Sequence, residues 1–477
     1  MGKACYNAVK FNCLCIVMCF SVLMSYAEVK SVAESQQARD GYVIVQQIVI
    51  SGNKITKPRV ILNELIFHQG DKLMVDKLGQ VVKRSRHNLL NTALFNYVSI
   101  RYTIQSDNSV VFHVSVDERW YWWVFPIFEV ADRNLSAFFN SGDWSRVNYG
   151  VYLKRDNFRG RNEKIIARVR LGFTTQILLG YMSPEYNRRG GWGAMFDFRM
   201  HDQLPYMTEG NQQLFKALET ELAQVTYTGT LYYTIRSGIY NRHRFEAFYN
   251  QFSVSDSIID LNPNYLTPDA NRLQFIELRY EYEFDKRDSK VYPLKGTRLR
   301  ANVTQSGLGI WQDELNNLKL GAQLDKHIRV GPRWHWSSLL YGEYNTSNSL
   351  PYVMNAGSGY RSFLNGYELY VIDGTRQGTM KNQMLFTLLQ PRMKKIGFMP
   401  LTQFAKINYA FYLKAYYDFG YVWQDNPPIT NTFANDWQYG YGAGLDFVTF
   451  YDMVWSFNYS VNKFNQHGFF VHFNLAI

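Results

Sequence analysis

Cysteine is confined to one end of this chain. Of 477 residues four are cysteine, and Cys5, Cys13, Cys15 and Cys19 all precede position 20. If that segment is removed, neither a disulfide nor a thiolate metal site can form. Charge is also sparse, 19% of residues against about 25% in ordinary soluble chains, which excludes a disordered or supercharged protein. After Ala27 no run of about 18 apolar residues occurs, so a helical membrane span is excluded. A closed set of strands is the other way across a bilayer. Catalytic signatures are missing too. The nine histidines, among them His87, His113, His201, His243 and His327, show no H-E-x-x-H spacing. Gly357-Ser358-Gly359 lacks the flanking glycines of a nucleophile elbow, and no P-loop or dinucleotide fingerprint is present. No catalytic, cofactor-binding or metal-binding residue is assigned, and the expectation is a protein that is not an enzyme. What is abundant is aromatic: 35 Tyr, 33 Phe and 11 Trp, 17% of the chain. Such a composition suits interfaces between oil and water.

The first 27 residues read as a signal peptide. Lys3 and Lys10 give the positive start, an apolar stretch runs from Phe11 to Met24, and Ser25-Tyr26-Ala27 offers a cleavage site. Lipid attachment at Cys19 is the rival reading, weakened because the apolar stretch continues past it. Removing Lys3 and Lys10 lowers the net charge from +11 to +9. That excess suits either acidic headgroups or an ordinary solvated surface.

Residues 28–41 are polar and read as a linker. Residues 42–119 read as one small α+β domain. An extended segment from Val43 to Val49 meets the turn Ser51-Gly52-Asn53, and Thr56 is placed to cap a short helix running to Leu65. A second helix begins near Asp76, turning Leu78, Val81, Val82, Leu89 and Leu90 to one side. Strands Tyr97 to Ile104 and Val110 to Val116 complete a three-stranded sheet.

From residue 120 to 477 the period changes to two. Ile165, Ala167, Val169 and Leu171 alternate with Arg168 and Arg170, and Ile276, Leu278, Tyr280 and Tyr282 alternate with Glu277, Arg279, Glu281 and Glu283. A soluble sandwich alternates as well, so alternation alone cannot separate inside from outside. Sixteen strands are expected, near 121, 147, 164, 175, 191, 222, 243, 273, 297, 317, 335, 381, 408, 438, 453 and 468. Their links alternate short and long, as the turns and loops of an outer-membrane barrel do. Two links disobey: Thr174-Thr175 is short on the loop side, and 391–407 is long on the turn side. Trp122, Trp192, Trp334, Trp423 and Trp437 fall at strand ends, where an aromatic girdle meets headgroups. The expected fold is a 16-stranded transmembrane antiparallel β-barrel preceded by one small α+β domain.

Several motifs resemble the BamA/TamA surface-antigen superfamily of outer-membrane assembly and transport proteins. In the small domain Val49-Ile50-Ser51-Gly52-Asn53, Gly70-Asp71 and Leu94-Phe95-Asn96-Tyr97-Val98 are similar to that family's polypeptide-transport (POTRA) module, present here once. Asp285, Arg287 and Asp288 with Pro293 and Gly296 resemble the family's strand-turn-strand signature. Leu364-Asn365-Gly366-Tyr367 resembles the loop tip, V-R-G-F/Y, that the family folds back into its barrel. Tyr416, Asp418 and Gly420 match F-x-D-x-G on a strand whose period aims Asp418 at the lumen. The resemblance implies contact between loop tip and Asp418, but Asn365 stands where the family has arginine. A neutral amide replaces a charge-assisted pair, so weaker holding is expected unless a nearby cation compensates. Arg361 is the expected source, with Arg376 the alternative. Gly468, Val471 and Phe473 resemble the terminal sorting signal of outer-membrane barrels.

The resemblance implies a Gram-negative outer-membrane protein with its small domain in the periplasm and no cofactor. Its partners would be outer-membrane lipids, unfolded outer-membrane clients and accessory lipoproteins. Assembly and insertion of clients through the small domain and barrel seam is the first functional reading. A channel for one dedicated protein partner is the second, and a passive pore the third. Nucleic-acid binding is disfavoured, because the aromatics alternate along strands and form no basic stacking platform.

Overall fold

The computed structural model describes residues 41–130, 144, 147–184, 190–218, 221–268, 270–311, 315–360, 363–395, 397, 406–449, 451 and 453–474. The expected signal peptide, and the linker up to residue 40, lie outside the described residues.

The N-terminal unit is strand β1 (Tyr42–Ser51), helix α1 (Pro58–Leu62), strand β2 (Lys72–Met74), helix α2 (Leu78–Leu90), and strands β3 (Phe95–Ile104) and β4 (Ser109–Glu118). Alternate residues of β1 and β4, with Leu78 and Leu89 of α2, bury a core around Phe67, Phe95 and Phe112, where the Phe67 and Phe112 rings stack at 4.0 Å. The sheet has four strands, order β2-β1-β4-β3, and not three. At three residues β2 is too short for alternation to mark it. A turn directs it back, closed by the Asp71 carboxylate accepting from the His68 N–H at 2.7 Å, with Gly70 at φ +91°. Thr56 does not cap α1. Lys57 occupies that position without a side-chain bond, and Pro58 holds the first helical turn instead.

Sixteen strands then form one antiparallel sheet: β5 (Trp122–Val130), β6 (Val147–Phe158), β7 (Glu163–Gly172), β8 (Thr174–Ser183), β9 (Gly191–His201), β10 (Gln224–Ser237), β11 (Asn241–Val254) and β12 (Arg272–Asp285) in its first half. The second half is β13 (Gly296–Ser306), β14 (Asn317–Arg329), β15 (Trp334–Asn345), β16 (Arg376–Lys395), β17 (Lys406–Trp423), β18 (Trp437–Val448), β19 (Val454–Asn462) and β20 (His467–Asn474). A separate hairpin, Gln203–Glu209 with Gln212–Ala217, fills most of the link between β9 and β10.

The period of two sorts every strand. Val169, Leu179, Phe196, Leu231, Leu278, Leu324, Leu340 and Leu413 are exposed on the outer wall. Their neighbours point inward and carry the charge. Across β11 to β14 they form two ion-pair clusters, Arg244, Glu246, Arg279 and Glu277 in one and Arg298, Arg300, Glu281, Glu283 and Asp325 in the other, with separations of 2.8–3.7 Å. Apolar residues outward and paired charges inward is the arrangement of a transmembrane barrel and the reverse of a soluble sandwich. Exposed Trp122, Trp192, Trp334 and Trp455 ring the end nearest the N-terminal unit, and exposed Trp423 and Trp437 ring the other. At that far end Leu204, Ile258, Leu266, Leu273 and Phe275 pack the hairpin and the helix Asp256–Leu261 into an apolar plug.

Candidate loop latch and barrel seam

The long link between β15 and β16 folds back into the lumen. Gly366, at φ +90°, turns its tip, a conformation glycine adopts at little cost. Asn365 then presents two N–H groups to one Asp418 oxygen, the backbone amide at 3.1 Å and the side-chain amide at 2.7 Å. Close approach requires glycine on the facing wall, because a Cβ on Gly440 would lie 1.8 Å from the Asn365 carbonyl oxygen. Gly420 similarly leaves room for Leu364. Tyr416 supports the wall from beneath, its hydroxyl 2.8 Å from Ser460 Oγ.

The tip reaches beyond Asp418. The Tyr367 hydroxyl donates to Gln438 at 3.0 Å on β18, and Asn462 on β19 donates to the Gly366 carbonyl at 3.2 Å. Burial pushes the Tyr367 phenol up to about 12, so it remains a donor at neutral pH. Glu368 sits 3.7 Å from His472 on β20, and the Phe363 ring stacks on the same imidazole at 5.2 Å. One short segment thus bridges β17, β18, β19 and β20.

Arg376 does not supply the compensating charge. Its position in β16 has outward parity, and its guanidinium lies over the Tyr344 ring and donates to Asn348 at 2.5 Å. Arg361 lies outside the described residues. The cation beside Asp418 is Lys381, 3.9 Å away and directly across the β16–β17 ladder. Sequence reasoning missed it, although pairing strand 381 with strand 408 by register would have found it.

The expected turn signature is more than a turn. Asp285 and Arg287 form a two-bond pair at 2.9 and 2.7 Å, and Asp288 accepts the N–H groups of Ser289, Leu294 and Lys295. At Gly296, φ +124°, a Cβ would meet the Lys286 carbonyl oxygen at 2.5 Å. Between them, just before Pro293, the segment reaches across the lumen. The Tyr292 ring stacks on Tyr412 at 4.6 Å and its hydroxyl donates to Asp446 at 2.8 Å, on the far wall.

The N-terminal unit is docked against this same end. Glu64 and Arg236 form a two-bond ion pair at 2.5 and 2.8 Å, Asn91 accepts the Lys290 N–H at 3.1 Å, and Asn157 donates to Thr56 at 2.8 Å. Thr56 also meets the buried Tyr121 hydroxyl at 3.1 Å, and Glu118 accepts the Thr56 N–H at 2.6 Å. Burial raises the Tyr121 phenol well above its ordinary value. Thr56 is therefore a docking residue, and its position two residues before Pro58 had concealed that.

The sheet has two ends. Among the described residues β5 pairs with β6 alone and β20 with β19 alone. Pro126 in β5 lacks an N–H and is suited to such an edge. The start of β5 is held by the turn before β19, where the Trp120 N–H donates to Tyr451 at 3.2 Å and the Trp123 ring meets Tyr451 edge-on at 4.9 Å. On β20, Val471 and Phe473 face outward, with Phe473 against Trp455 at 4.3 Å. Gly468 leaves space that a Cβ would take from the Phe470 ring.

The POTRA family model, surface antigen variable number repeat, matches residues 43–119. The fold is similar to that of BamA from Haemophilus ducreyi lacking POTRA domains 1–3, with TM-score 0.51 and 13% identity over 90% of this chain and 83% of that one. CdiB from Escherichia coli aligns with TM-score 0.49 and 13% identity over 90% of this chain and 75% of that one. No curated protein sequence matches. The matched module and the shared fold bear out the resemblance to the BamA/TamA superfamily, with a single POTRA module.

Proposed function

We propose that this chain is an outer-membrane assembly factor, its POTRA module in the periplasm, which inserts β-barrel clients without chemical catalysis. The observation that carries the reading is the seam between β5 and β20, unpaired among the described residues and bridged on its C-terminal side by the loop tip through Glu368, Phe363 and Asn365. Barrel assembly needs a pairing edge and not a reactive group, since strand pairing and lipid burial provide the driving force. In the POTRA module β2 covers β1 at Tyr42–Ile44 only. The turn before β2 also takes both backbone groups of Val45, and among the described residues the edge beyond it is the place for an extended client to pair by backbone hydrogen bonds, which tolerate many sequences. Val471, Phe473 and Gly468 are assigned as this protein's own sorting signal. Clients and accessory lipoproteins are the partners proposed.

A second reading, a channel for one dedicated protein, is favoured by the latch chemistry. Because Lys381 shares the wall with Asp418, withdrawing the loop tip does not leave that carboxylate without a cation. The tip is therefore cheaper to displace than one carrying the arginine itself. Depletion followed by quantification of the outer-membrane proteome separates the readings. Broad loss of barrel proteins is expected; loss of one exported protein supports the channel, and no change supports a passive pore.

A further inference from the structure

The outer wall carries a groove across β7 to β12 that neither the latch nor the seam uses. It encloses about 670 Å³, within the range of about 300–1,000 Å³ typical of ligand sites. Two cross-strand rows build it. One runs Ala167, Leu179, Phe196, Gly229, Tyr249 and Ile276; the next runs Ile165, Tyr181, Ala194, Leu231, Ala247 and Leu278. Ala194, Gly229 and Ala247 make a sunken floor, while Phe196, Leu231 and Tyr249 stand as walls. Leu231 is 64% exposed, and a Cβ on Gly229 would meet only Tyr249 Cβ, at 3.9 Å.

A polar cap sits at one end. Gln251 accepts from the Tyr249 hydroxyl at 2.9 Å, and Arg272 donates to Gln251 at 3.2 Å and to Gln274 at 3.1 Å. Both partners of Arg272 are neutral amides, and among the described residues no carboxylate pairs with it. Trp311 lies edge-on to Tyr249 at 5.7 Å beside this cap. Arg272 follows Ile276 by two steps of the outward row, about 13 Å along the strand. Along β12 the outward positions run from Tyr282 near the POTRA end through Tyr280, Leu278 and Ile276 and turn polar at Gln274 and Arg272. From Tyr282 to Arg272 is about 33 Å along the strand and about 25 Å along the axis at the usual tilt, the height of the apolar band. The cation therefore stands at the headgroup level of the leaflet farther from the POTRA module.

We propose that this groove binds an acyl lipid of that leaflet whose headgroup is a phosphate with no ammonium of its own, hence anionic, its tail on the Ala194, Gly229 and Ala247 floor and its phosphate on Arg272. The inference rests on the barrel lying in lipid and is independent of what the barrel transports. It is tested by native mass spectrometry of the full chain released from detergent, titrated with phosphatidylglycerol or with phosphatidylcholine of the same acyl chains. The wild type should prefer phosphatidylglycerol. Arg272→Gln should lose about tenfold of that preference, the scale of one charge-assisted contact. Gly229→Leu should lower adducts of both lipids while keeping their ratio. Arg376→Gln, another outward cation at the same end, should leave the ratio unchanged. Heat-modified gel mobility confirms that each variant is folded. An unchanged ratio in Arg272→Gln, an equal loss in Arg376→Gln, or full binding by Gly229→Leu overturns the proposal.

Discussion

Asp418 is nearly sealed from solvent, at 1% exposure, and everything about the latch follows from how its charge is met. Two amide donors come from the loop and one ammonium from the wall. Lys381→Met should loosen the tip by about 1–3 kcal/mol, because it leaves a buried carboxylate with neutral donors only. Adding Asp418→Asn should recover much of that loss. Limited proteolysis of the loop in the two variants measures it, and equal cleavage in both would contradict the assignment. Gly440→Ala should expel the tip without touching any charge, since its methyl would occupy the place of the Asn365 carbonyl. The Asn365 to Asp418 contact was legible from motif and parity. Lys381 was not, because a cross-strand partner is fixed by register, which short motifs do not encode.

His87, on α2, has its pKa lowered from 6.5 chiefly by burial, with Lys83 and Arg86 adding to the effect and Asp288 of the barrel opposing it. The unfolded imidazole therefore takes its proton first as pH falls. The native module loses stability from pH 6.5 downward through the folded pKa, and keeps it above. Protection factors of the α2 amides, corrected for the intrinsic pH dependence of exchange, should fall as pH drops from about 6.5 to about 5.5, and His87→Gln should flatten that slope.

At the scale of elements, polar contacts join the module to the barrel. Reversing Glu64 to Arg should raise the module's exchange and proteolysis, and Glu64→Arg with Arg236→Glu should restore docking, a coupling of about 1–2 kcal/mol. Additive effects in that double variant would rule the pair out as a docking device. The sixteen barrel strands were readable because each exceeds a few residues and faces two different media, so period two is strong. Strand β2 was not, for it has three residues and leans on its neighbour. Nor was the lumen crossing at Tyr292, where Pro293 and Gly296 read as a plain turn. Its contact with Asp446 spans 154 positions, and only the closed sheet brings those together.

Over the whole molecule one physical statement supports the rest: alternate residues of each strand touch hydrocarbon, and the intervening ones face an ionised interior. Strand β10 tests it directly, since Tyr227, Gly229, Leu231 and Tyr233 have outward parity while Thr228, Thr230, Tyr232 and Thr234 face the lumen. A nitroxide placed in turn at each of positions 227 to 234, in the protein reconstituted into lipid vesicles, reports collision with dissolved oxygen, which concentrates in hydrocarbon. Maxima at 227, 229, 231 and 233 with minima between them are the expected result. A flat profile, or maxima at the even positions, would contradict the barrel and with it the seam, the latch and the lipid groove.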